Sequence, residues 1–170
     1  MIKDRKHYSE SDEFDYTYEL YTPMRLVTSA AVVLSSYALL SADYEYVNYG
    51  RSRLRAEDYD FETENDSIKQ NYIAGHNFRL GTEIRLAPFY VRGGVSYYGS
   101  PTSAKINADG SVKGYSLGVG LKSYNTYIDI AFNHSYYDQN YQLYDYGDGI
   151  ENSKLSMTED HIVFTIGFKF

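Results

Sequence analysis

Seven charged side chains in the middle of the chain alternate with apolar ones, so a β-strand would gather them on its polar face. Opposite charges on adjacent antiparallel strands pair across the ladder. The chemistry expected of the set is therefore ion pairing, either as a polar lining that guides a substrate or as a network that holds a barrel closed. The pattern favours the network, and Lys122 belongs to the same group with weaker alternation. The seven residues are Asp43, Glu45, Arg79, Glu83, Arg85, Arg92 and Asp129.

Two acidic stretches raise the question of a calcium site, since hard cations prefer carboxylate oxygens. The segment from Arg51 to Asp66 places carboxylates at alternate positions, and Asp145, Asp148 and Glu151 surround two glycines. Neither stretch has the spacing of an EF-hand loop. Both are predicted to be solvated loops, with calcium as the alternative for each, and no metal site is assigned.

The remaining chemistry-bearing residues point away from an enzyme. The four histidines are scattered without metal-ligand spacing, and no serine lies in a nucleophile-elbow context. Cysteine is absent, which excludes thiol nucleophiles and Cys-based zinc sites. The net charge of −7 argues against a nucleic-acid partner. We therefore predict no catalytic residues, no cofactor and no enzymatic activity.

Eight segments with period-two alternation would position these residues, and helical periodicity is hard to find. The fold predicted is an all-β antiparallel transmembrane barrel with about eight strands in one domain at 13–170, preceded by a polar segment at 1–12. Each strand approaches the 9–11 residues that cross a bilayer at a tilt. The predicted strands are 13–20, 25–34, 41–46, 77–86, 89–98, 114–121, 127–133 and 161–170.

The connections between these segments alternate in length, which is typical of outer-membrane barrels. Short links at 35–37, 87–88 and 123–125 alternate with long polar ones at 50–75, 99–110 and 138–160. A soluble lipocalin-like barrel is the alternative, because its strands also alternate. Glycine and serine on several polar faces, and tyrosines near strand ends, favour the membrane. The first residues are polar and are not followed by the apolar stretch of a signal peptide, which an outer-membrane protein needs. We therefore expect that the signal peptide has been removed or that the chain is a fragment of a longer protein.

The last strand resembles the C-terminal β-signal of outer-membrane proteins, which ends on an aromatic residue. The residues that carry this resemblance are Phe164, Ile166, Phe168 and Phe170. It implies the assembly machinery of the outer membrane as a partner, together with membrane lipid, and location in the outer membrane of a Gram-negative bacterium.

A second resemblance covers the chain from about Tyr18 to Phe170. The pieces Thr22-Pro23-Met24-Arg25 and Phe78-Arg79-Leu80-Gly81-Thr82-Glu83 resemble the C-terminal half of the FadL/TodX family of fatty-acid and hydrocarbon transporters. That resemblance implies the C-terminal part of a 14-stranded barrel that passively takes up hydrophobic molecules, with a hydrophobic ligand or detergent as a partner. The family's N-terminal hatch and first strands have no counterpart here. A small barrel without transport, serving a structural or surface-binding role, is the alternative.

Overall fold

A computed structural model of the chain describes residues 17–106, 109–141 and 153–169. Within these ranges nearly all regular structure is β, with one α-helix and one turn of 3-10 helix, so the all-β prediction is confirmed. The elements are β1 (Glu19–Tyr21), β2 (Arg25–Ser35), β3 (Ala38–Asn48), the 3-10 helix (Tyr49–Arg51), β4 (Arg53–Arg55), α1 (Glu62–Asn71), β5 (Ala74–Leu86), β6 (Phe89–Tyr98), β7 (Val112–Lys122), β8 (Thr126–Tyr141) and β9 (Ser153–Phe168).

Seven of the strands form one antiparallel sheet in the order β2-β3-β5-β6-β7-β8-β9. Among the described residues the sheet does not close on itself, and β2 and β9 are its edges. The predicted first strand of the barrel is wrong in its described part. Glu19–Tyr21 pairs with Arg53–Arg55 as a separate two-stranded ribbon and is not part of the seven-stranded sheet.

The connections fall into two classes, and they define the two ends of the sheet. Links of two or three residues join β2 to β3, β5 to β6 and β7 to β8, at what we call the turn end. Long segments join β3 to β5, β6 to β7 and β8 to β9 at the opposite, loop end. The predicted loop at 138–160 is too long. The strands continue to Tyr141 and resume at Ser153, and Lys154 there makes an ion pair with Asp138, with Nζ and Oδ2 2.8 Å apart.

The long connection at 51–66 is ordered into β4 and the beginning of α1, where a solvated loop was expected. Glu62 and Glu64 lie in the first turn of α1 and Lys69 in its last, an arrangement that suits the helix dipole. The Asn65 side chain accepts a hydrogen bond from the Leu54 amide and donates one to the Leu54 carbonyl, at 2.8 and 3.0 Å. The Asn65 side chain therefore satisfies both backbone groups of Leu54, as a paired strand would, and fixes α1 to β4.

The sheet is a single layer with two unlike faces. On the apolar face, large side chains such as Leu80, Leu117 and Ile162 are between half and three-quarters exposed. The polar face carries the predicted charges together with glycine and serine, and its side chains are mostly half-buried among one another. Val47 is the only buried apolar residue in the described part of the chain. No packed apolar core therefore lies on either side of the described sheet.

The band of apolar side chains crosses the sheet obliquely. Its border toward the loop end runs from Leu26 on β2 through Phe78 on β5 and Tyr115 on β7 to Ile162 on β9, with Tyr136 of β8 lying beyond it. Residues paired across successive strands form a row, and each row can be named by its residue on β5. The four border positions from β2 to β9 lie in the rows of residues 76, 78, 80 and 82. With the usual rise per residue and the usual distance between strands, the border shifts by about 20 Å along the strands over a sheet width of about 29 Å. The border is therefore inclined by about 35° to the rows of paired residues.

Two glycines on β7 test how closely its neighbouring strand approaches. A Cβ added at Gly114 would lie 2.9 Å from the backbone oxygen of His134, whereas one added at Gly118 would meet nothing closer than 3.5 Å. Gly114→Ala should therefore lower the free energy of unfolding by about 1–3 kcal/mol, whereas Gly118→Ala should be neutral or slightly stabilising. Urea unfolding followed by tyrosine fluorescence measures both. Equal stability of the two variants would show that β8 moves aside freely.

Candidate functional site

The first of two charge clusters on the polar face joins β2, β3 and β5 toward the loop end. The register sets Asp43 opposite Arg79, and the guanidinium of Arg79 lies 3.7 Å from Asp43 Oδ2 and 3.6 Å from Glu45 Oε2. Arg25 Nη2 donates to the same Glu45 oxygen at 2.7 Å. Glu45 is buried, and Asn77 Nδ2 donates to its other oxygen at 3.3 Å. Two arginines and an amide therefore compensate one buried carboxylate.

The second cluster joins β5, β6 and β8 toward the turn end. Glu83 accepts hydrogen bonds on both oxygens, from Arg85 Nε at 2.6 Å and from Arg92 Nε at 2.8 Å. Arg92 also donates through Nη1 to Asp129 Oδ1 at 2.9 Å, across the intervening strand β7. That reach is possible because Gly120, the residue of β7 opposite Asp129, has no side chain: a Cβ there would overlap with the Asp129 carboxylate.

A trough of small residues separates the two clusters. Ser41, Gly81, Gly94 and Ser116 are successive partners in one row that crosses β3, β5, β6 and β7. They form the floor of an open groove of about 530 Å³, and the charged residues that line it are Asp43, Arg79, Glu83, Arg92 and Asp129. Such a groove can accept a polar chain or ring against backbone and hydroxyl groups, with charge-paired walls on both sides.

All seven charges predicted from the sequence lie on one face and within these two clusters. Their assignment to a lumen stays a prediction. Two contributors were missed: Arg25, whose strand is apolar on both faces, and Asn77, which was assigned only to a polar face. The register of β2 against β3, which sets Arg25 opposite Val47, is what brings Arg25 to this face, and alternation within β2 alone does not reveal it.

The described residues of the predicted assembly signal lie on the apolar face of the edge strand β9. Phe164, Ile166 and Phe168 are all at least half exposed, next to an edge without a partner strand among the described residues. Phe170 lies outside the described residues. An exposed, alternating edge strand is a suitable template for pairing with another strand.

The histidines and the acidic stretches gather no metal-binding group within the described ranges. His76 Nδ1 is 2.9 Å from the Tyr44 hydroxyl, and His134 Nδ1 is 2.7 Å from Asp160 Oδ1, both on the apolar face near the loop end. The second acidic stretch, at 145–151, lies outside the described residues. No helix in the described part of the chain is long and apolar enough to cross a membrane.

The two clusters differ in how strongly they depend on one carboxylate. Glu83→Gln removes the negative charge and one of the two acceptor oxygens that Arg85 and Arg92 use, so the free energy of unfolding should fall by about 1.5–3 kcal/mol. Asp43→Asn should cost less than about 1 kcal/mol, because its partner is 3.7 Å away and both side chains are more than a third exposed. Urea unfolding followed by tyrosine fluorescence compares them, since the chain has no tryptophan. A larger loss in Asp43→Asn would contradict this ranking.

Comparison with known proteins gives no assignment: the chain matches no protein-family model, no curated protein and no solved structure.

Proposed function

We propose that this chain forms wall strands of an outer-membrane β-barrel of a Gram-negative bacterium, with its apolar face against lipid and its polar face lining the interior. The observation that carries the proposal is the oblique apolar band on a single-layered sheet. A soluble β-sheet buries its apolar face against a second layer. Here that face is exposed on all seven strands of the sheet, and the described residues provide no second layer.

The dimensions of the band support a bilayer as the missing partner. Barrel strands in membranes tilt by about 35–45°, and their outer apolar band is about 25 Å tall. If the band lies parallel to the membrane, its inclination of about 35° to the rows of paired residues equals the tilt of the strands from the membrane normal. On β5 the apolar positions run from Phe78 to Leu86, about 27 Å along the strand and about 22 Å along a membrane normal inclined by this angle.

Aromatic side chains near the loop-end border of the band support the same placement. His134 lies 5.0 Å from Tyr115 and 6.3 Å from Tyr136, as measured between ring centroids. On β3 and β5, Tyr44 and Tyr46 stand in the same way around His76. Amphipathic rings at this level are favoured where hydrocarbon meets the headgroup region.

The direction of the strands limits how such a barrel closes. The edges β2 and β9 are the first and seventh strands of a meander, so they run in the same direction. Pairing them directly would create a parallel pair, whereas bacterial single-chain barrels are antiparallel with an even number of strands. In a closed barrel, an odd number of further strands therefore stands between β9 and β2.

Passive uptake of hydrophobic small molecules, such as fatty acids, is the activity we propose for this barrel. It rests on the resemblance to the FadL/TodX family, and the open groove on the polar face is compatible with a passage. The second candidate is a non-transporting barrel with a structural or surface-binding role. The observation that favours this alternative is the ion-pair network, whose arginines and carboxylates are tied to one another across five strands.

Adjacent positions on β9 test the membrane placement, because the chain is free of cysteine. Phe164 lies on the apolar face and Thr165 on the polar face. In outer-membrane preparations, a water-soluble maleimide should label Thr165→Cys and leave Phe164→Cys unlabelled. After denaturation in urea, both should react equally, which controls for expression and intrinsic reactivity. Efficient labelling of Phe164→Cys in the membrane would refute lipid contact at this face.

Uptake is tested separately in cells that produce the full protein. A fluorescently labelled long-chain fatty acid should enter these cells faster than cells with the empty vector. In Arg79→Ala cells the uptake rate, normalised to folded protein, should be unchanged, while the melting temperature of the barrel falls because Asp43 and Glu45 lose a partner. No stimulation by a correctly folded barrel would favour the structural role. Loss of uptake at unchanged melting would make Arg79 part of the substrate path.

A further inference from the structure

A second cavity on the polar face lies near the turn end, next to the groove between the clusters, with which it shares Glu83, Arg92 and Asp129. Its volume is about 440 Å³, and five charged side chains take part in its lining. Three are cationic and two are carboxylates, so the lining has a surplus of one positive charge. The charged residues are Glu83, Arg85, Arg92, Lys122 and Asp129.

The carboxylates of this cavity are already occupied by the two arginines. Glu83 uses both oxygens, one for Arg85 Nε and one for Arg92 Nε, and Asp129 Oδ1 accepts from Arg92 Nη1. Arg92 is thus satisfied at two of its nitrogens and is held there, with its guanidinium 6.0 Å from the centre of the Tyr90 ring. The positive surplus of the lining therefore lies elsewhere.

That surplus lies on Arg85 and Lys122. Within the described ranges, Arg85 donates only through Nε, so both of its Nη groups remain for a ligand. No carboxylate of the described residues lies within 4.0 Å of Lys122 Nζ. The Lys122 backbone is fixed by a 2.8 Å hydrogen bond from its amide to the Pro88 carbonyl. The Lys122 ammonium and the free edge of the Arg85 guanidinium thus line one cavity.

Two tyrosines complete the lining. The register pairs Arg85 with Tyr90 and Lys122 with Tyr127, so each cation has a ring on the neighbouring strand. Both rings line the cavity and can supply a flat apolar contact and a hydroxyl donor. A planar oxyanion matches the fork of a guanidinium, and a lysine adds a point charge beside it.

We infer that this cavity binds the oxyanion group of a small organic molecule, a carboxylate or a phosphate monoester, with Arg85 and Lys122 as the anion ligands and Tyr90 and Tyr127 against its apolar part. The contacts that carry this inference lie within the sheet. It goes beyond the proposed uptake and does not require a membrane around the chain.

The test uses the full protein refolded in a non-ionic detergent and isothermal titration calorimetry with three probes of similar shape. Benzoate and phenyl phosphate carry the anion, and benzamide is the uncharged control. At least one of the two anions should bind, benzamide should not, and the preferred anion tells which chemistry the site takes. Binding of benzamide as tightly as the preferred anion would overturn the inference, because the ring alone would then account for binding, and so would the absence of binding by both anions.

Matched variants assign the binding to the cavity. Lys122→Gln should weaken binding by about tenfold or more, because one charge-assisted contact is lost. Lys122→Arg should retain it, and Arg85→Gln should weaken it independently. Lys105→Gln removes the same charge from a loop and should leave the affinity unchanged. Unchanged affinity in both Lys122→Gln and Arg85→Gln would overturn the site. Because the assay is done in detergent, it can succeed even if the membrane placement fails, and the reverse also holds.

Discussion

The structure depends on one constraint: a single-layered sheet with no apolar core must be stabilised by its own backbone ladder and by whatever surrounds its apolar face. Val47 is the only buried apolar side chain in the described part of the chain. In most domains, burial of apolar side chains is the dominant favourable term in folding. Here this term has to come from outside the described sheet, which is why the proposal of a membrane location rests on the apolar face and not on a cavity.

The same constraint explains the character of the polar face. A charged side chain that loses water is costly unless it is paired. Four arginines and four carboxylates occupy the two clusters, and each of them contacts an opposite charge within 4.0 Å. The glycines between them remove side-chain bulk where long guanidinium groups cross a neighbouring strand. The face is thus polar without a strong field of either sign, except near Arg85 and Lys122 at the turn end.

Much of the sheet could be predicted from the sequence, because alternation reports directly on which face each residue occupies. Pairing of opposite charges across adjacent strands was predicted from the sequence, and the register then sets Asp43 opposite Arg79 and Glu83 opposite Arg92. Three features could not be predicted in this way. Polar residues dominate the ends of β8 and β9 that face the loop, with only Leu155 and Met157 as aliphatic side chains on that part of β9. The helix α1 has no apolar stripe, and Glu19–Tyr21 alternates like a wall strand but pairs with β4. In each case the deciding contact is with a partner distant in the sequence, and local pattern carries no information about it.

The meander has a consequence for how the chain acquires its shape. Every strand of the seven-stranded sheet pairs only with the strands before and after it in the order of the sheet, and three of these pairs are joined by links of two or three residues. Contacts of this kind have low contact order, so each hairpin can form soon after its own residues come together. The sheet can therefore grow one hairpin at a time, because none of its seven described strands has to wait for a partner from the far side of the sheet.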